Sequence, residues 1–210
     1  MPTPNLDRRL QDARSHLAGS AALQLQVAET AAEQIIAAAD AIAGAFAEGG
    51  KVLLCGNGGS AADCQHVAAE FVGHLRRDSH RRGLPAVSLA ADTSFLTAFA
   101  NDRGFEYVFE RQVRALGRRG DVLVAISTSG NSVNVIRAVE AARELGMTTI
   151  GLTGGGGRLN LLVDIAITVP SADTQFIQEA HLAVEHVICD LVERRLSGAG
   201  GETETGVRSR

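Results

Sequence analysis

Two sets of side chains in this sequence are spaced for proton transfer or metal binding. His66 and Glu70 stand at i and i+4 within "SAADCQHVAAEFVGHL", residues 60–75, so on a helix they share one face. An imidazole and a carboxylate one turn apart form half a metal site or an acid/base pair. Isolated, the same spacing more often serves as an ordinary hydrogen-bonded pair. The second set is "QEAHLAVEH", which carries Gln178, Glu179, His181, Glu185 and His186. On a helical wheel Gln178 and His186 stand about 80° apart and can converge on one point. His181 and Glu185 make a rival i,i+4 pair. Spacing does not choose between these pairs, and at least one is expected on the surface.

Two loops have the composition of an anion cradle. "GNGGS", residues 56–60, follows an apolar run and opens a helix. Its glycines let backbone approach a ligand, and a helix N-terminus offers free N–H groups. Ser60 reads as the N-cap, with Asp63 three residues on as a capping-box-like partner. "STSGNS", residues 127–132, gathers the hydroxyls of Ser127, Thr128, Ser129 and Ser132 before another helix. That is a phosphate cradle without lysine, and the G-K-[ST] ending of a Walker loop is missing. The plainer reading is a serine-rich turn with Asn131 or Ser132 as N-cap. Two such loops in one sheet favour phosphate.

The elements that must position these residues alternate. Helix is expected over 5–47, strand over 51–56 and helix over 60–75. A strand over 85–90 precedes helices over 93–100 and 105–117, with "NDRG" as the turn between them. Strands over 121–127, 148–153 and 164–169 alternate with helices over 132–145 and 174–196. This pattern predicts an α/β fold, a single domain over 1–196 with a central parallel five-stranded sheet flanked by helices. Near-continuous apolar strands fit burial on both faces. Ligands in such folds sit beyond the carboxyl ends of the strands, which points at the loops 56–60, 127–132 and 153–157. The glycine-rich tail, 197–210, is expected to be disordered.

The bulk composition excludes some classes. Charged residues are 21% of the 210, net charge is −4, and aromatics are 4% with no Trp. This balance speaks against a nucleic-acid partner. The alanine-rich stretch 31–47 is interrupted by Glu33 and Asp40, so no membrane span is expected, and no signal peptide is read at the N-terminus. Cys55, Cys64 and Cys189 form no close pair and read as reduced thiols of a cytoplasmic protein.

The segments "CGNGGSAADCQHVAAEFVGHL", "ANDRGFEYVFERQV", "GDVLVAISTSGNSVNVIRAVEAARELGM" and "DTQFIQEAHLAVEHVICDLVE" together resemble the phosphoheptose isomerase family of the sugar-isomerase (SIS) fold. The resemblance runs from the first helix to about residue 196. It implies interconversion of D-sedoheptulose 7-phosphate and D-glycero-D-manno-heptose 7-phosphate by enediol proton transfer. It also implies a homotetramer with active sites between subunits and one zinc per subunit. The family's metal ligands fall on His66, Glu70, Gln178 and His186, and its acid/base residues on Glu70 and His186. Its substrate contacts fall on Asn57, Gly58, Gly59, Glu70, Asn101, Asp102, Ser127, Thr128, Ser129, Ser132 and Gln178. By this likeness His181 and Glu185 become bystanders. The chain departs from the family at Phe176, where arginine is usual. The alternatives are a non-catalytic phosphosugar-binding paralogue that associates with a replication initiator, and an isomerase of another sugar phosphate. The presence of both Glu70 and His186 favours the enzyme.

Overall fold

The computed structural model describes residues 6–76, 79 and 81–199. In place of one helix over 5–47, the chain forms α1 (Leu6–Thr30) and α2 (Ala32–Ala47). The expected start at residue 5 lies outside the described residues. Ala31 leaves helical geometry at φ −125°. The cause is adjacent: Thr30 Oγ1 donates to the Gln26 carbonyl at 2.8 Å, the kind of back-bonding that bends helices. Ile35 N still reaches the Ala31 carbonyl at 2.9 Å, so the helix bends without losing its ladder.

The alternation then proceeds as the sequence predicts. β1 (Val52–Gly56) leads into α3 (Gly59–Val72), and β2 (Ala86–Ser88) into α4 (Thr93–Arg103). A 3₁₀ turn (Phe105–Tyr107) opens α5 (Val108–Leu116). β3 (Val122–Ser127), α6 (Val133–Glu144) and β4 (Thr148–Thr153) follow. A second 3₁₀ turn (Arg158–Leu161), β5 (Ile165–Thr168) and α7 (Thr174–Ala199) complete the fold. Several boundaries differ from expectation: α3 stops at Val72 in place of residue 75, and β2 keeps only three residues of 85–90. Asn101–Arg103 continue α4, which stops only at Gly104 with φ +99°. α7 runs through 197–199, expected as disordered tail; the rest of the tail lies outside the described residues.

The five strands are all parallel, in the order β2-β1-β3-β4-β5. Their side chains alternate between two cores. Val52, Leu54, Val124, Ile150 and Leu152 pack under α2, α3 and α7, whereas Leu53, Cys55, Leu123 and Ala125 pack under α5 and α6. Connections leave β1 and β3 on opposite sides of the sheet. The crevice between their carboxyl ends is therefore the ligand position such topology creates. The loops ending in Ser60 and Ser132 flank that crevice. Among the described residues no helix is long and apolar enough to cross a membrane.

Candidate active site

α3 and α7 lie side by side and run in the same direction, which brings three levels of contact into line. At the first level a Cβ on Gly59 would come within 2.4 Å of Gln178 Nε2, so only glycine lets that amide rest on the loop. At the second, His66 Nε2 and His186 Nε2 are 2.8 Å apart, with the rings edge to face. Glu70 Oε1 stands 3.7 Å from His66 Nε2. At the third, Leu75 N donates to Glu193 Oε2 at 3.1 Å.

Ser60 is not the cap it resembles. α3 begins one residue earlier, with Gly58 at φ +58° as N-cap and no side-chain bond, and Ser60 is buried. Asp63 faces the site instead of the cap. Burial raises its carboxyl above the ordinary value, and the neighbouring His66 pulls it partly back. The i,i+3 spacing from His66 carried that signal, obscured by the capping-box reading.

Neither residue of the His181–Glu185 pair on α7 is at the surface. His181 is fully buried, donates from Nε2 to the Thr153 carbonyl at 3.1 Å, and is pushed by burial down to about 4. Glu185 is also buried, and desolvation followed by Asp63 pushes it up to about 9. The i,i+4 pair on α3 is the more open: the His66 side chain is 43% exposed and that of Glu70 20%. A substrate can reach these and cannot reach His181.

The loop after β3 is closed on itself. Ser127 Oγ and Ser132 Oγ are 3.0 Å apart, and Asn131 N donates to Ser129 Oγ at 3.2 Å. Ser132 stands at the α6 N-cap but makes no capping bond from its side chain. The loop after β4 lies against it, because a Cβ on Gly157 would sit 2.5 Å from the Ser129 carbonyl. Between them opens a cavity of about 670 Å³ lined by Thr128, Ser129, the glycines 155–157 and Ser171. Ser171 was not legible beforehand, since nothing local marks it.

Asn57 and Asn134 exchange both amide hydrogen bonds, at 2.9 and 2.8 Å, tying the β1–α3 loop to α6 across the crevice. Asn134 is a partner that only folding reveals. Asn101 and Asp102 bond to each other at 3.0 Å on the exposed last turn of α4, and no hydrogen bond among the described residues links them to the loops or the histidines. Phe176 packs its ring 4.6 Å from that of His16, filling the α1–α7 seam above Gly19.

The chemistry of the donors suits a zinc-type ion, with imidazole nitrogens facing one point and a carboxylate beside them. Among the described residues no three His, Cys, Asp or Glu side chains are already gathered as a metal cage.

The SIS domain family matches residues 16–154. A phosphoheptose isomerase of Roseiflexus sp. is 57% identical over 169 residues, which span 80% of this chain and 85% of that relative. This chain belongs to the phosphoheptose isomerase family. The solved phosphoheptose isomerase of Neisseria gonorrhoeae matches with a TM-score of 0.83 at 45% identity, covering 90% of this chain and all of that one (100%). That of Francisella tularensis matches at 0.84 and 38% identity, covering 89% and 98%. In this phosphoheptose isomerase family member, the α3–α7 seam and the β1 and β3 loops therefore sit on a scaffold shared almost end to end.

Proposed function

We propose that the chain interconverts D-sedoheptulose 7-phosphate and D-glycero-D-manno-heptose 7-phosphate, with Glu70 and His186 as the proton-transfer groups. The observation that carries this reading is the meeting of His186 with His66 across the α3–α7 seam, one helical turn from Glu70, in a member of the phosphoheptose isomerase family.

The reaction takes a proton from the carbon beside the carbonyl and returns it to the neighbouring carbon through an enediol. Glu70 removes and returns the carbon-bound proton. His186 moves the proton between the two oxygens. Each group contributes about 10²- to 10⁴-fold. Ser127, Ser129 and Ser132, with the free amides at the start of α6, hold the phosphate, joined by Thr128. Asn57, Gly58, Gly59 and Gln178 line the approach to the seam. His66, Glu70, Gln178 and His186 would hold a zinc ion, which supplies Lewis-acid polarisation of the carbonyl when bound. Glu70 and His186 serve in both lists, so their proton transfer requires the carboxylate oxygen and the ring nitrogen that would not be engaged with the ion.

The working form in this reading is a cytoplasmic homotetramer. Leu10, Leu17 and Leu25 on α1 and Ile36 on α2 are exposed in one subunit, an apolar stripe that partner helices would cover. Asn101 and Asp102 then act on a neighbouring subunit's site. Turnover assays across five- to seven-carbon ketose phosphates, with and without a chelator, test the substrate. The seven-carbon sugar gives the highest kcat/KM; absence of its turnover contradicts the reading.

A further inference from the structure

Where α3 ends, the carbonyls of its last turn have no partners within the helix. Arg81 supplies them: its Nη2 donates to the Glu70 carbonyl at 2.8 Å and its Nη1 to the Phe71 carbonyl at 2.9 Å. The same guanidinium lies 3.6 Å from Glu193 Oε2, and both side chains are almost fully buried, at 6% and 4% exposure. Glu193 also accepts from Leu75 N at 3.1 Å, just past the end of α3. Glu193 is on α7, seven residues after His186, and seven residues bring a helix to within about 20° of the same face. One ion pair thus clamps the backbone of Glu70 to the helix that carries His186. Cys189, between His186 and Glu193, reports the same neighbourhood: burial raises its thiol first, then Glu185 and Glu70, with Arg81 opposing.

We propose that Arg81 and Glu193 are positioning residues for the isomerisation, holding the last turn of α3 so that the Glu70 carboxylate keeps its distance from His186. This rests on the reading of Glu70 and His186 as the proton-transfer pair. Arginine is required because one planar fork meets two carbonyls and a carboxylate; lysine reaches fewer of them. The phosphate loops lie at the opposite end of α3 and at α6. The bridge therefore acts on the chemical step and not on substrate capture.

Arg81→Ala, Glu193→Gln and Glu70→Gln, each checked for fold and assembly by circular dichroism and light scattering, are compared with the parent on sedoheptulose 7-phosphate. Misplacement of a reacting group by about 1 Å costs up to about 10²-fold, so Arg81→Ala lowers kcat at least about tenfold with KM within about threefold. Added guanidinium restores several-fold in Arg81→Ala and nothing in the parent. Glu193→Gln, which keeps the shape and the Leu75 contact, lowers kcat by about threefold or more and decides the matter if Arg81→Ala does not fold. The proposal is overturned if either folded variant keeps kcat within twofold, if KM rises as far as kcat falls, or if guanidinium has no effect. Those results alongside an inactive Glu70→Gln remove the bridge's role alone. Parental activity in Glu70→Gln removes the reading beneath it as well.

Discussion

His66 and His186 meet through their Nε2 atoms at 2.8 Å, although 120 residues separate them in the chain. At that distance one ring nitrogen donates and the other accepts, so the pair shares one proton between two helices. Neither helix alone holds a site. α3 brings the histidine and carboxylate behind the glycine loop, and α7 brings the second imidazole to the same solvent-facing point.

In the proposed reading, phosphate capture depends on the hydroxyls at the α6 N-terminus. Ser129 lines the cavity. A hydrogen bond to a charged group is worth about 1.5–3 kcal/mol, so Ser129→Ala raises KM by about tenfold or more with kcat little changed. Calorimetric titration with inorganic phosphate shows the same weakening. Equal phosphate affinity in variant and parent places the cradle elsewhere.

Stability falls on both sides of mildly acidic pH. Glu185 keeps its proton up to about 9 in the fold, against 4.5 ordinarily, because it is buried and faces Asp63. The folded chain then holds a proton that the unfolded chain has lost, so this contribution fades as pH rises from 4.5 toward about 9. His181 is lowered from 6.5 to about 4 by burial, so its contribution fades as pH falls through that range. Glu185→Gln flattens the alkaline limb and raises Tm at pH 8 by about 2–4 °C for each kcal/mol recovered. An unchanged alkaline slope in melting curves of Glu185→Gln refutes the assignment.

Metal content follows from the donors at the seam. Protein purified without chelator carries close to one zinc per subunit by elemental analysis, and His66→Ala lowers that content sharply. Loss of one ligand's second-sphere support already costs about 10- to 100-fold in affinity, and loss of a ligand costs at least as much. Metal-free protein with full activity removes the zinc from the account while leaving the isomerase.

The apolar stripe on α1 and α2 calls for partners. Light scattering at micromolar concentration gives four times the 22.0-kDa chain mass. A 22.0-kDa monomer that is fully active denies the shared assembly.

The alternation of strands and helices was legible because the parallel strands are short, largely apolar runs closed by glycine or a polar turn. Those runs also located the ligand loops, since topology alone puts them at strand ends. The bend at Ala31 was not legible, because Thr30 looks like any helical threonine until its hydroxyl turns back to Gln26. Ser60 had the right type for a cap, yet Gly58 adopts a positive φ and starts the helix without it. Periodicity could not rank the two α7 pairs, because both faces of that helix carry polar groups. Only packing shows that His181 and Glu185 turn inward and His186 outward. Asn57–Asn134 and Arg81–Glu193 depend on segments distant in sequence, which local pattern does not register.

The central claim is that Glu70 and His186 act as one proton-transfer unit, and steady-state conversion of sedoheptulose 7-phosphate by folded variants tests it most directly. Glu70→Gln and His186→Ala each lower kcat by at least about 10²-fold, and the double variant loses far less than the product of the two. Near-parental kcat in a folded, assembled Glu70→Gln contradicts the account.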